Sequence, residues 1–161
     1  MLRFTAQIQG EVIIDRAFNR VEQEITDFRN FWPGVITTFY EIETEQFLTE
    51  GASGASGKWT PLSPAYRLFK EREFPGKTIL RREDALYESM TGPDALDSVL
   101  RPEKEELLIG SALPYALFHQ KSRPIISLTE EQKRRFMKSI QQQRLVEFAR
   151  GTGFQVDERA A

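Results

Sequence analysis

The sequence predicts an α+β domain, a small antiparallel sheet covered by long helices. Three observations predict it. Leu2, Phe4, Ala6 and Ile8 alternate with Arg3, Thr5, Gln7 and Gln9, the period of a half-buried strand. Residues 98–101 and 106–110 read as two further strands around a polar turn at Pro102 to Glu105, which makes a hairpin. Thr129-Glu130-Glu131-Gln132 is a capping box that opens a long helical pattern running to about Arg150.

Taken in order, the first strand ends at Gly10 and a helical period follows. Ile14, Phe18, Val21, Ile25 and Phe28 fall at steps of four and three, a narrow apolar stripe. Asp27, Asn30 and Pro33 interrupt it, and Pro33 suits the first turn of a second helix. That helix carries Ile36, Phe39, Tyr40, Ile42, Phe47 and Leu48 on more than one side. It is either sandwiched in the core or shared with another subunit. The Gly/Ser-rich residues 51–58 read as a mobile loop without an anchoring side chain, and Trp59 re-anchors the chain. Ser63-Pro64 starts a short helix from Tyr66 to Glu73, closed by Pro75-Gly76. A further helix takes Arg82 to Met90, with Glu83 and Asp84 in its first turn. The segment from Leu107 through Gly110 and His119 to Arg123-Pro124 changes conformation often while staying apolar, as chain threading a domain centre does. Within it Pro114 to His119 is a short helix, and Ile125-Ile126 beyond it is extended. The last helix presents Phe136, Met137, Ile140, Leu145 and Phe148, and Gly151 is its expected stop. Residues 1–153 thus form a single domain, with 154–161 a frayed tail.

Bulk properties narrow the function. At 161 residues, 40% hydrophobic and 29% charged, the chain is an ordinary soluble domain able to bury a core. A net charge of −2 argues against coating nucleic acid by bulk charge. Zero cysteines remove disulfides, thiol catalysis and thiolate metal sites, and fit assembly in a reducing cytoplasm. No apolar run approaches the roughly 20 residues that span a bilayer, and the opening Met-Leu-Arg-Phe-Thr is no export signal.

Gly57-Lys58 imitates the end of a phosphate-binding Walker loop, but Ala52 stands where glycine is needed. Trp59 likewise stands where the magnesium hydroxyl is needed. His119 is the sole imidazole. With no nucleophile-elbow spacing around any serine and no cysteine, it reads as a structural residue tying a loop to the core, with Tyr115 and Arg123 beside it. A hydrolase using His119 is the weaker alternative. No metal or cofactor set is found. Glu130 with Arg134 and Glu131 with Arg135 have ion-pair spacing on the last helix. Its basic run, Lys133, Arg134, Arg135 and Lys138, defines a second alternative, a nucleic-acid-binding module, against which stands the lack of an interleaved aromatic platform. Two Trp, twelve Phe and four Tyr are a large aromatic load without a catalytic set, which leans towards a subunit that buries surface in an assembly, the alternative being a generous monomeric core. The candidate assembly residues are Gly51, Ser53, Gly54, Ser56, Lys58 and Trp59 in the loop, and Phe31 and Trp32 at the helix junction.

The order of these signals resembles a bacteriophage family, the virion-morphogenesis or tail-completion proteins that join heads to tails. The residues carrying the resemblance are Phe47, Glu50-Gly51, Lys58-Trp59-Thr60-Pro61-Leu62-Ser63, Tyr66 and Lys70. They continue with Pro75-Gly76, Ile79-Leu80, Leu86, Ser89, Ile109-Gly110-Ser111 and Pro114-Tyr115-Ala116. His119-Gln120, Arg123-Pro124 and Leu128 complete the series. It spans residues 10 to 148 and departs from the family pattern at Tyr87 and at Lys121-Ser122. The resemblance implies a non-enzymatic structural protein of the phage neck or upper tail, assembled in the host cytoplasm and built into the virion. It implies a homo-oligomeric ring, six copies by expectation, that contacts neighbouring connector and tail proteins. DNA would pass through its lumen without sequence recognition, and no membrane is involved. The loop 51–58 and the tail are expected to order against neighbours on assembly.

Overall fold

The computed structural model describes residues 27–152, with side chains to residue 143. Five helices and one hairpin make up this region: α1 Trp32–Leu48, α2 Pro64–Glu73, α3 Ala85–Thr91, β1 Ser98–Pro102, β2 Leu107–Ser111, α4 Ala116–Ser122 and α5 Glu130–Thr152. The expected N-terminal strand, the 14–28 stripe as far as Ile25, and the 154–161 tail lie outside the described residues. Among the described residues the sheet is the hairpin alone, and the α+β class holds.

Helix α1 is the axis of the fold, packed against α5 and α3. Trp32, Val35, Phe39, Ile42 and Phe47 are all buried, which is why its apolar residues do not keep to one stripe. Full burial of a ring such as Phe39 or Phe47 contributes about 2–3 kcal/mol. Four threonines, Thr37, Thr38, Thr44 and Thr49, return their hydroxyls to the carbonyl four residues back. The helix is stopped by two successive positive φ values, Glu50 at 52° and Gly51 at 88°, and the Gly51 N–H closes onto the Gln46 carbonyl at 2.9 Å.

The hairpin pairs Ser98 with Ser111 and Pro102 with Leu107. Leu107 and Ile109 face the core, and the turn closes through Glu103 N–H to the Glu106 carbonyl. That turn also holds the start of α1. Trp32 Nε1 donates to the Glu103 carbonyl at 2.6 Å, and the Phe28 N–H donates to that of Lys104 at 2.7 Å.

Several boundaries differ from expectation for visible reasons. Helix α3 begins at Ala85, because Asp84 is left-handed (φ 61°) and its carboxylate is taken by Arg81 at 2.8 Å and by Lys77. Asp84 is therefore not in a helical first turn, and the Arg81 hydrogen bond holds its carboxyl below the usual range. Helix α4 starts two residues after Pro114 and runs past His119 to Ser122. Helix α5 passes through Gly151 instead of stopping there. Its capping box forms as expected, with Thr129 N–H on Gln132 Oε1 at 2.8 Å and Gln132 N–H on Thr129 Oγ1 at 3.2 Å.

Candidate assembly surface

The residues expected to form a loose loop instead form a seam with the 120–132 segment. Gln46, buried on α1, accepts from Ser53 Oγ at 3.0 Å, and its Nε2 donates to the Pro124 carbonyl at 3.4 Å. The Ala55 N–H donates to the Ser127 carbonyl and the Ser56 N–H to Ser127 Oγ, while the Ser56 and Ser127 hydroxyls share a bond at 2.7 Å. Gln132 adds Nε2 to the Ser53 carbonyl at 3.2 Å. The expectation that nothing anchors residues 51–58 is therefore corrected. The anchors are backbone groups and short hydroxyls, which composition does not reveal.

The glycines of this loop serve packing. A Cβ on Gly51 would stand 2.5 Å from Trp59 Cδ1, and one on Gly54 2.5 Å from Gln46 Nε2. Trp59 itself is buried edge-on against Phe47, with Nε1 donating to the Pro124 carbonyl at 2.8 Å. Phe31 and Trp32 are buried as well. Gly51, Gly54, Phe31, Trp32 and Trp59 are thus interior residues of this chain, and their candidacy as contact residues is corrected. Of the original set Ser56 and Lys58 are exposed, and Ser53 is half-buried. Lys58 reaches Glu50 only loosely, at 3.9 Å.

His119 was expected to tie a loop to the core through its ring nitrogens, and it does not. Its Nδ1 is buried with no hydrogen-bond partner among the described residues, and burial together with the Arg123 charge depresses its basicity. It packs edge-on against Tyr115 and Phe118. The tie is made one residue later: Gln120 Oε1 accepts the N–H groups of Ile125 (2.9 Å) and Ile126 (3.0 Å), and its Nε2 donates to the Ile126 carbonyl at 2.9 Å. Arg123 does brace the seam, through Nε to the Thr60 carbonyl at 2.9 Å. Gln46 was missed from sequence, and the cross-chain and turn-holding bonds of Gln132 and Gln120 were not foreseen. Only Gln132 carried a local signal, its capping-box position.

For the alternative chemistries, Ser89 and Ser111 hydrogen-bond each other at 2.7 Å, and both are buried. Among the described residues no group of acidic and imidazole side chains could hold a metal. The basic face of α5 is partly neutralised. Arg135 pairs with Glu41 of α1 at 2.9 Å and Lys133 with Glu130 at 2.6 Å, in place of the expected Glu131–Arg135 and Glu130–Arg134 pairs. No helix among the described residues is long and apolar enough to cross a membrane.

What the described surface does offer is apolar side chains in solvent. Leu68 (67% exposed), Phe69 and Tyr66 project from α2, and Phe118 (68% exposed), Leu117 and Tyr115 from around α4. Each cluster is a small apolar patch in solvent, one on α2 and one around α4.

Compared with known proteins, the chain matches no family model, no curated protein and no solved structure.

Proposed function

We propose that this chain is a structural protein of the bacteriophage neck or upper tail, a ring-forming subunit that completes the tail and joins it to the head. The supporting observation is where the residues of the resemblance meet. Trp59 with Pro124 and Thr60 with Arg123 are far apart in sequence yet hydrogen-bonded, Gly51 packs under the Trp59 ring, and Gln120 holds the turn at Ile125 that follows Pro124. Their work is to hold a shape, and apolar side chains such as Leu68, Leu117 and Phe118 stand in solvent among the charged ones. Such a chain functions by the surface it presents to neighbours, with no bond made or broken. The ring is expected to hold six copies, with connector and tail proteins above and below it and DNA passing through unread.

The test is omission. In an infection lacking this protein, filled tailless capsids and free tails should accumulate, and adding purified protein should join them. Complete, infectious particles formed without it would end the proposal.

A further inference from the structure

A hollow of about 330 Å³ is bounded by α2 and by the segments before and after it. Buried Trp59 and Ile79, with half-buried Leu62 and Phe74, supply its apolar lining. Lys58, Arg67, Lys70 and Lys77 line it too, together with Glu50 and Glu71. Lys70 is 5% exposed, although every other residue of α2 is exposed. Its Nζ donates to the Thr78 carbonyl, and it has no second acceptor among the described residues. An ammonium carries three N–H donors, so two are spare. Burial works against its charge, and the Glu50 carboxylate supports it.

The cations outnumber what the carboxylates take up. Lys77 is paired with Asp84. Glu50 is held in the wall, its Oε1 accepting the Ile79 N–H at 3.0 Å and its Oε2 lying 3.9 Å from Lys58. The guanidinium of Arg67 has no partner among the described residues. At about 100° per residue, Arg67 and Glu71 stand on the side of α2 next to Lys70. With Lys77 neutralised, three cations meet two carboxylates, which leaves one positive charge in excess. That balance suits a monoanion. A phosphate group brings about 1.5 to 2 negative charges at pH 7 and would be repelled by Glu50 and Glu71. A carboxylate brings one, and it fits the planar fork of a guanidinium. The volume and the apolar lining leave room for a small apolar body beside it. We propose that the hollow binds a carboxylate carried on a small apolar body, the end of a polypeptide or a free monocarboxylic acid. Arg67 and Lys58 take the carboxylate, and Leu62 and Phe74 take the apolar part. The site does not depend on the ring reading and stands or falls without it.

N-acetylleucine, a carboxylate on an apolar body, is the probe, and N-acetylleucinamide is its neutral match. The chain holds two tryptophans, so its nuclear magnetic resonance spectrum has two indole N–H signals. Trp59 lines the hollow and reports on it. Trp32, bonded to the Glu103 carbonyl, is the internal control. The acid should move the Trp59 signal saturably and leave that of Trp32 in place, and the amide should bind more weakly by about tenfold or more. Arg67→Gln should weaken the acid by about tenfold or more. Arg72→Gln, on the far side of α2, should bind it as the wild type does. Both positions are exposed, and the rest of the spectrum checks that the fold is intact. A peptide ending in leucine with a free carboxylate separates the two sources. Tighter binding than N-acetylleucine marks a polypeptide end, and equal or weaker binding marks a free acid. The proposal is overturned if Trp59 shows no saturable shift, or if acid and amide bind alike. It is equally overturned if inorganic phosphate at the same ionic strength shifts Trp59 as much, or if Arg67→Gln binds undiminished.

Discussion

Gly54 lies so close to the Gln46 side chain that a Cβ there would stand 2.5 Å from Nε2 and 2.8 Å from the Ser127 carbonyl oxygen. This contact joins the end of α1, the glycine-rich loop and the segment before α5 in one place. It decides whether the loop is a free arm or part of the folded body.

The first prediction follows from it. Gly54→Ala must displace Gln46 or the loop backbone, and should cost about 1–3 kcal/mol in urea unfolding. Gly57→Ala meets nothing within 4 Å, yet sits at φ 72°, so its cost is backbone strain alone, about 1 kcal/mol. Removing Ala52 to Ser56 outright should destabilise the domain, because the bonds from Ala55 and Ser56 to Ser127 go with it. A Gly54→Ala chain as stable as the wild type would return the loop to its sequence-based reading.

The second concerns the turn after α4. Gln120→Leu leaves the N–H groups of Ile125 and Ile126 without their acceptor, and should cost about 2–4 kcal/mol. His119→Gln removes no hydrogen bond at Nδ1 and should cost at least 1 kcal/mol less. Thermal and urea unfolding of the two variants side by side check the order. The reverse order would make the imidazole the tie after all.

The third is a pH dependence. Glu43 is 1% exposed in the middle of α1, and neither carboxylate oxygen has a partner among the described residues. Burial pushes its carboxyl well above the ordinary 4.5. The folded chain therefore keeps a proton that the unfolded chain releases once pH exceeds that value. Stability is lost as pH rises from there towards the folded-state pKa. Glu43→Gln keeps the shape and removes the titration. The stability difference between variant and wild type should be flat well below the ordinary carboxyl value of 4.5 and move in the variant's favour as pH rises above it. A difference independent of pH would mean that the carboxyl is not held neutral.

How much of this was legible in the sequence depends on the range of the interaction. Local chemistry read through well. Ser63 accepts from the Tyr66 N–H at the start of α2, Thr129 and Gln132 cap α5 as their spacing required, and the hairpin sits within one residue of its expected ends. The many-sided apolar pattern of α1 left two readings, a core helix or one shared between subunits, and α1 is packed in the core of the described residues. Contacts across the chain were not legible. Nothing near Gln46 in sequence announces Ser53 and Pro124, and nothing near Arg135 announces Glu41. The same blindness placed Phe31, Trp32 and Trp59 at a contact surface, since an aromatic residue beside a turn looks alike whether its ring faces solvent or core. Leu68 and Phe69, exposed on α2, went unremarked.

The central claim is that the chain does its work as a counted, shape-bearing part of a particle. Quantitative mass measurement of purified intact virions, with the protein's copies scored per particle, tests it most directly. The account predicts a fixed whole number, six per tail, that remains with the neck when heads and tails are separated. Particles that carry none, or a number that varies from one to the next, would contradict it.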